Sequence, residues 1–504
     1  MTLLGEIIAQ GERVANHRPW PRVAVDSAAW SATVDALADG LMTLMSLWGE
    51  PGRVHMAVME EDPAVPTVLS LDCPYGRFPS VGVRHAPAIR LERALADLYG
   101  LEPDRALDRR PWLDHGRWGV RHPLGANEPA EAPAKTSPPY RFLPAEGDSL
   151  HQIAVGPVHA GIIEPGHFRF TANGEAVVRL EARLGYLHRG LEARMVGRTP
   201  AEAARFAARA SGDSTVGYAI AFARAVEGAL ETPAPERAVW LRALMAELER
   251  LANHLGDIGA ICNDASFAIM HAHCAVLREA VLRASSLAFG HRLMMDAVTP
   301  GGVSVDPGAA GLTAIRALVA TLRERFPPLV SLYDETASLQ DRTVRTGVLA
   351  ADLARRFAAG GYVGRASGRT FDTRRALPYA PYDALTFETP VREAGDVNAR
   401  VWIRIDEAAQ SLALLDQILD RLPEGPLHRD LPADSGEGLA LAEGFRGDIL
   451  AWLKIEDGAV ARCHLRDPSW FQWPLLEACI EGNIVADFPL CNKSFNCAYA
   501  GVDL

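Results

Sequence analysis

The chain has 504 residues, which is enough for two or more domains, and its 48% hydrophobic and 23% charged residues are typical of a folded globular protein. Its formal net charge of −12 leaves no basic surplus to neutralise phosphates, which excludes an extended nucleic-acid contact. The seven cysteines are scattered and odd in number, a pattern that favours a reducing compartment over a disulfide framework.

Residues 1–124 predict a small α+β domain. The segments VHMAVME and TVLSLDCPY are typical of strands, and apolar residues recur at helical spacing from Ala88 to Gly100. The N-terminus carries Glu6 and Glu12 and lacks a basic start before an apolar stretch, so no signal peptide is predicted.

Residues 125–148 are rich in proline, alanine and glutamate and lack apolar periodicity, so they predict an extended linker between two domains.

Residues 149–504 predict a mainly helical second domain that opens with a short β element. Asn173-Gly174 between two alternating segments predicts a hairpin. Thr199 and Glu202 form a capping-box pattern ahead of a helix. Apolar spacing predicts further helices, which would pack as a bundle, over 235–256, 270–295, 311–326 and 406–422. No apolar stretch approaches the roughly 20 residues of a membrane-spanning helix.

Two clusters of metal-capable residues are weak signals. His271 and Cys274 would share a helical face, but two ligands do not close a zinc site, so packing is the favoured interpretation. Cys491 and Cys497 lack CxxC spacing, which favours inert thiols over a redox pair.

A series of short motifs runs through the second domain in a fixed order. They are GPVH at 156–159, EPGHFR at 164–169, HRGLE at 188–192, ELERLANHL at 247–255, PGGV at 300–303, VWIR at 401–404 and EGFRG at 443–447. Each is weak alone, but their order resembles the large subunit of formate-hydrogenlyase-type [NiFe] hydrogenases and the quinone-site, 49-kDa-type subunit of complex I. FPS at 78–80 and DLYG at 97–100 more faintly resemble the 30-kDa-type peripheral-arm subunit of complex I.

The resemblance implies a fold class: α+β, with a mainly helical hydrogenase-large-subunit-like bundle and a short β element, preceded by the small α+β domain. Metal-bearing relatives hold nickel and iron with two Cys-x-x-Cys pairs, because such a centre requires soft thiolates. Here Ser211 and Ser214 stand at the first pair. The second pair falls either on Cys491 and Ser494 or on Cys497 and Ala500, so at most one thiolate remains. We therefore predict no metal site and no independent hydrogenase activity.

The positions that resemble quinone contacts in complex I also differ. A histidine position corresponds to Ile163 or Glu164, and a tyrosine position corresponds to Gly212. Asp264 matches an aspartate near that site, and Tyr218 or His159 are candidate substitutes for the missing contacts. Quinone stays a candidate ligand.

Glu192 and Arg446 match residues that face the active cavity in hydrogenases. With Asp213 and Asp264 they are candidates for proton relay or polar-ligand binding, and structural salt bridges are the alternative.

The resemblance implies a peripheral-arm subunit of a membrane-associated, complex-I-like oxidoreductase, on the cytoplasmic side of the inner membrane. Its expected partners are an iron-sulfur subunit and membrane antiporter-like subunits. A non-catalytic scaffold is the alternative, and an open, apolar-walled cavity beside Ser211 and Ser214 would favour the first function over the scaffold.

Overall fold

The structure is a computed structural model that describes residues 3–62, 64–125, 128–129 and 139–504. Within these ranges the strands β1 to β18 are Glu12–Arg13, His17–Arg18, Arg22–Ala24, Thr43–Glu50, Arg53–Glu61, Ala64–Asp72, Arg77–Pro79, Glu102–Asp104, Val120–Arg121, Glu128–Pro129, Leu150–Val155, His167–Asn173, Ala176–Arg183, Val298–Thr299, Gly302–Val303, Gly436–Gly444, Gly447–Glu456 and Ala459–Arg466.

The α-helices α1 to α17 within the same ranges are Leu3–Gln10, Ser27–Ala38, Ile89–Tyr99, Leu191–Met195, Pro200–Ala207, Thr215–Ala229, Glu236–Asp264, Ala268–Phe289, Gly308–Glu335, Ala337–Thr343, Ala351–Arg356, Gly361–Arg365, Thr373–Ala376, Val397–Arg421, Ser469–Cys479, Phe488–Phe495 and Ala500–Asp503. None of these described helices is long and apolar enough to cross a membrane.

The N-terminal region is built on a five-stranded sheet in the order β1-β3-β6-β5-β4. The two strands predicted from sequence are β5 and β6, which pair antiparallel at its centre. The predicted helix is α3, and it ends at Gly100 because the left-handed backbone there, at φ +69°, suits glycine. This region is therefore α+β, as predicted.

The N-terminal region is joined to the C-terminal sheet, whose strand order is β18-β17-β16-β2. β2 runs parallel to β16, and the buried Arg22 guanidinium pairs with Glu437 at 2.5 Å. Trp48 packs against Trp452 with ring centroids 5.5 Å apart. The division at 125–148 stays a prediction, since nearly half of that segment lies outside the described residues.

The hairpin and the capping box are confirmed. β12 and β13 pair antiparallel around Gly174, whose φ of +57° is the backbone that the turn requires. The Thr199 side chain accepts a hydrogen bond from the Glu202 backbone, and the Glu202 carboxylate accepts one in return from Thr199. These bonds satisfy N–H groups that the first turn of α5 leaves unpaired.

The helical core is formed by α7, α8, α9 and α14, which pack against one another. Four predicted boundaries were wrong. α7 continues past Gly256 to Asp264, and α8 ends at Phe289 rather than at Met295. α9 continues through Pro327 and Pro328 to Glu335, and α14 begins at Val397, where the Asp396 carboxylate caps the Ala399 N–H.

The prediction of a mainly helical second domain missed three antiparallel strands, β16, β17 and β18. β16 is buried along its whole length against α6, so its sequence shows no alternation of apolar and polar residues.

α7 and α14 carry a network of buried charges between them. Glu407 of α14 bonds to His254 at 2.8 Å, and Arg404 contacts Asp257 at 3.2 Å. Further ion pairs extend the network through Glu247, Arg250, Arg365, Asp372, Arg374 and Glu443. Because nearly every member has an opposite charge beside it, the network fixes how the two helices pack.

Candidate functional site

An open cavity of about 690 Å³ lies between the end of α7, the start of α8, α16 and the loop that precedes β12. Its walls are largely apolar, with Ile162, Ile163, Ala260 and Phe488 among the lining residues. An apolar cavity with a few polar groups is the usual form of a small-molecule site.

The polar groups of this cavity come from the end of α7 and from the C-terminal segment. Burial raises the pKa of the Asp264 carboxyl, and nearby Lys493 opposes that shift. The Lys493 ammonium lies 3.2 Å from the Asn496 side-chain oxygen and 3.5 Å from the Asp257 carboxylate. Tyr499 also lines the cavity, and burial raises its pKa, so its hydroxyl stays protonated. The cavity therefore presents hydrogen-bond donors within an apolar surface.

A second, more polar cavity of about 420 Å³ adjoins the first. His271, Lys493 and Asn496 line both cavities, so they form the partition between them. Asp213 and Asp257 are among the other lining residues. The two cavities together reach from an apolar chamber to the position of the serine pair.

An ion pair occupies the position at which the first cysteine pair of metal-bearing relatives is expected. The Arg446 guanidinium donates to both Asp213 carboxylate oxygens, at 2.7 and 2.6 Å. The hydroxyls of Ser211 and Ser214 donate to the same carboxylate at 2.7 and 3.1 Å. Although partial burial opposes the shift, the Arg446 charge and these hydroxyls hold the pKa of the half-buried Asp213 carboxyl well below its usual range.

The geometry also distinguishes the two alternatives for the second cysteine pair. The Asn496 carbonyl accepts a hydrogen bond from Arg446, which places Cys497 beside the serine pair. Ser494, the partner of Cys491 in the other alternative, instead accepts a hydrogen bond from Arg400 at 2.9 Å. This contact favours the alternative in which Cys497, rather than Cys491, stands at a ligand position of the metal-bearing relatives.

These residues do not fit a nickel-iron centre. Both serine hydroxyls are engaged by a carboxylate, and burial raises the pKa of the Cys497 thiol, which disfavours the thiolate that a metal requires. Among the described residues, no cluster of three or more histidine, cysteine or acidic side chains could hold a metal ion.

Glu192 does not join the Asp213–Arg446 pair. Its carboxylate accepts hydrogen bonds from His464 at 3.1 Å and from the Leu465 backbone at 3.0 Å, and His464 in turn bonds to Ser46. Glu192 is thus held by hydrogen bonds within the fold, which fits the structural alternative, whereas Asp213 and Arg446 pair with each other.

The other candidate residues divide between the cavity and the core. His159 and Asp264 line the apolar cavity, and the His159 ring bonds to the Gly166 carbonyl at 2.7 Å. Tyr218 is fully buried and donates to Asp467 at 2.7 Å, so its hydroxyl is committed to the core. His271 is exposed and lines both cavities, so the packing interpretation fits Cys274 but not His271.

Lys493, Asn496 and Tyr499 were missed as site residues. They lie within seven positions near the end of the chain, on α16 and just after it. Their closeness in the sequence was the available signal for a polar site, but the segment meets α7 only in the folded structure.

Comparisons with known proteins place the chain in the class of hydrogenase-type and complex-I-type large subunits. Residues 264–434 match the family described as respiratory-chain NADH dehydrogenase, 49 Kd subunit, and residues 189–256 match the family described as nickel-dependent hydrogenase.

Individual relatives agree with this class. Formate hydrogenlyase subunit 5 of Escherichia coli (strain K12) is 30% identical over 447 residues, which cover 86% of this chain and 78% of that protein. An NADH-quinone oxidoreductase subunit of Syntrophobacter fumaroxidans is 31% identical over 356 residues, covering 69% of this chain and 98% of that protein. A chain in the structure of the membrane-bound sulfane sulfur reductase, an archaeal respiratory membrane complex, has a TM-score of 0.67 and 27% identity, covering 71% of this chain and 99% of its own length.

The chain belongs to the family of complex I 49-kDa subunits and nickel-dependent hydrogenase large subunits, and the resemblance drawn from motif order is confirmed. The mixed α+β fold is confirmed with it. The formate hydrogenlyase match covers 86% of the chain, more than residues 149–504 alone contain, so the similarity extends into the N-terminal region.

Proposed function

We propose that this protein is a peripheral-arm subunit of a membrane-associated, complex-I-like oxidoreductase that works without a nickel-iron centre of its own. It sits on the cytoplasmic side of the inner membrane, beside an iron-sulfur subunit and membrane antiporter-like subunits. Its relatives are subunits of hydrogenase-related or quinone-reducing complexes, and the chain spans most of their length. That coverage supports a role as a subunit of such an assembly.

The observation that carries the proposal is the contrast between the two parts of the site. The position of the metal ligands is filled by a hydrogen-bonded ion pair, while the neighbouring apolar cavity of about 690 Å³ is open. A protein that had become only a scaffold would gain packing energy by filling such a cavity. The open cavity therefore supports a working ligand site.

A quinone fits the chemistry of this cavity. Its ring suits the apolar walls, and its carbonyl oxygens accept hydrogen bonds, which Lys493, Tyr499 and a protonated Asp264 would supply. The raised pKa of Asp264 extends the pH range over which that carboxyl carries a proton to donate.

Purification of the native assembly tests the proposed subunit role. A tagged full-length chain is purified from detergent-solubilised membranes of its own organism, and the co-purifying proteins are identified by mass spectrometry. We expect an iron-sulfur subunit and membrane-spanning antiporter-like subunits in near-equal amounts. A chain recovered alone, or only from the soluble fraction, would contradict the proposal.

The alternative is a scaffold subunit of the same complex, and ligand binding separates the two. We expect saturable binding of a short-chain quinone analogue that is lost in Ile163→Trp, which fills the cavity, and weakened in Asp264→Ala. Val178→Trp is the matched control, because Val178 is 47% exposed and lies away from the cavity. Absence of binding to the assembled complex would favour the scaffold.

A further inference from the structure

A second cavity, of about 440 Å³, lies at the opposite end of α7 from the site described above. Val239, Arg242 and Ala243 of α7 line it, whereas Ala260 and Asp264 line the quinone-type cavity. At 1.5 Å per residue, even the nearest two of these residues, Ala243 and Ala260, lie about 26 Å apart along the helix, so the two sites are distinct.

The second cavity has a buried apolar floor and a polar, exposed mouth. Ile220, Ala243 and Tyr382 of the floor are each no more than 5% exposed, while Glu231 at the mouth is exposed. This shape suits a small ligand with an apolar body.

Two of the three arginines that line the cavity are neutralised. Arg242 donates to both oxygens of the Glu227 carboxylate, which also accepts the Gly301 backbone N–H at 2.8 Å. Arg18 pairs with Glu231 at 3.3 Å. No carboxylate is left over among the described residues that line the cavity.

Arg224 of α6 is the third arginine, and within the described part of the chain it forms no ion pair. Its guanidinium lies over the Tyr379 ring, 3.9 Å from the centroid, and donates one hydrogen bond to the Leu441 carbonyl. Burial lowers the pKa of Arg224, and the nearby Glu227 carboxylate, which is bonded to Arg242, only partly opposes that shift. Its remaining N–H groups are available to an acceptor in the cavity.

Arg400, which is fully buried, shows how an arginine without a carboxylate partner is accommodated in this fold. It also lacks a carboxylate partner, yet its guanidinium donates to the Ser494 hydroxyl and to the carbonyls of Gly395 and Gly347. Arg400 is satisfied by the protein itself, whereas the half-buried Arg224 has one protein acceptor and keeps N–H groups free for a ligand.

From this geometry we infer that the second cavity binds a small carboxylate with an apolar body, whose charge pairs with the in-plane N–H groups of Arg224 that the Leu441 carbonyl leaves free. The planar guanidinium can hold both carboxylate oxygens, which makes an anion a better ligand than its neutral amide. One unpaired cation favours a monoanion. The inference does not depend on the proposed function, because it concerns a different cavity.

The test uses the folded full-length chain with benzoate as the probe and benzamide as its neutral isostere. We expect saturable benzoate binding by calorimetry, with benzamide about tenfold weaker or more, since a charge-assisted bond is lost. Arg224→Gln should weaken benzoate by about tenfold or more, and Arg224→Lys by less. Arg18→Gln, which removes a paired arginine of the same cavity, should change it by no more than about twofold.

A second variant keeps the inference testable if Arg224→Gln folds poorly. Ala234→Trp narrows the cavity while leaving Arg224 in place, and it should abolish benzoate binding without changing the thermal unfolding temperature. Absence of saturable benzoate binding to the wild-type chain, equal binding of benzamide, or unchanged binding to folded Arg224→Gln would each overturn the inference.

Discussion

The ion pair between Asp213 and Arg446 gives the sharpest stability prediction. The Arg446 side chain is 5% exposed, whereas that of Asp213 is 35% exposed. Removing one partner of a fully buried pair costs about 3–5 kcal/mol, and a fully exposed pair contributes about 0–1 kcal/mol. Asp213→Asn leaves an enclosed guanidinium without a counter-ion, so we expect a loss of about 2–3 kcal/mol in unfolding free energy.

Arg446→Met should cost less than Asp213→Asn. The carboxylate that it leaves behind has access to water and keeps the hydroxyls of Ser211 and Ser214 as donors. The double variant should cost less than the sum of the two single variants, by about 1–2 kcal/mol, because the residues interact directly.

The pH dependence of this pair follows from the lowered pKa of Asp213. A carboxyl whose folded-state pKa is depressed stabilises the fold above its ordinary pKa of about 3.9, and the contribution is lost as the pH falls through the folded value. The difference between wild type and Asp213→Asn should therefore be constant from about pH 5 to 8 and shrink at lower pH.

Urea denaturation of the four proteins measures these free energies. The matched control is Asp420→Asn, which breaks an Arg316–Asp420 pair of similar length, 2.8 Å, whose side chains are 49% and 65% exposed. We expect the control to change stability by less than about 0.5 kcal/mol. Additive single variants, or a control that costs as much as Asp213→Asn, would refute the reasoning.

Three further variants test other parts of the fold by urea denaturation. Burial raises the pKa of Glu249 to about 8, so the folded state holds a proton there, and wild-type stability should fall as the pH rises from about 4 to 8. Glu249→Gln should therefore gain stability relative to wild type as the pH rises from about 5 to 8. A pH-independent difference between the two proteins would contradict this. Thr199→Ala removes the capping box of α5 and should cost about 1 kcal/mol, with Thr199→Ser close to wild type. Arg22→Met leaves the buried Glu437 carboxylate without its arginine partner and should cost about 3 kcal/mol or more of unfolding free energy. Arg53→Met, which breaks the exposed pair with Asp72, should cost less than about 0.5 kcal/mol. Equal costs would refute the role of burial.

The features predicted well from sequence are those set by neighbouring residues. The hairpin at Asn173-Gly174, the capping box at Thr199 and the end of α3 at Gly100 depend on local backbone chemistry, and all three are present. The family was also predictable, because the order of its motifs is written along the chain.

The features missed depend on distant parts of the chain. β16 was missed because burial against α6 removes the alternation that marks a strand. The apolar spacing predicted a helix only over 311–326, yet α9 continues through Pro327 and Pro328 to Glu335 and packs against α8 and α14.

The candidate site was only partly predictable. The sequence analysis named Asp264 and His159, which line the cavity, and grouped Asp213 with Arg446, which form an ion pair. It also placed Glu192 in that group, whereas Glu192 bonds to His464 instead. Whether these residues act on a ligand stays a prediction. Lys493 lies 229 positions after Asp264 in the chain, and only packing of α16 against α7 brings the two to one cavity.

The claim that the metal site has been replaced by an ion pair is tested most directly by the nickel content of the purified native complex. Nickel is measured by mass spectrometry against the amount of this subunit, with a nickel-containing hydrogenase as the positive control. We expect nickel far below one atom per chain, with iron confined to partner subunits. One nickel atom per chain, lost on substitution of Cys497, would contradict it.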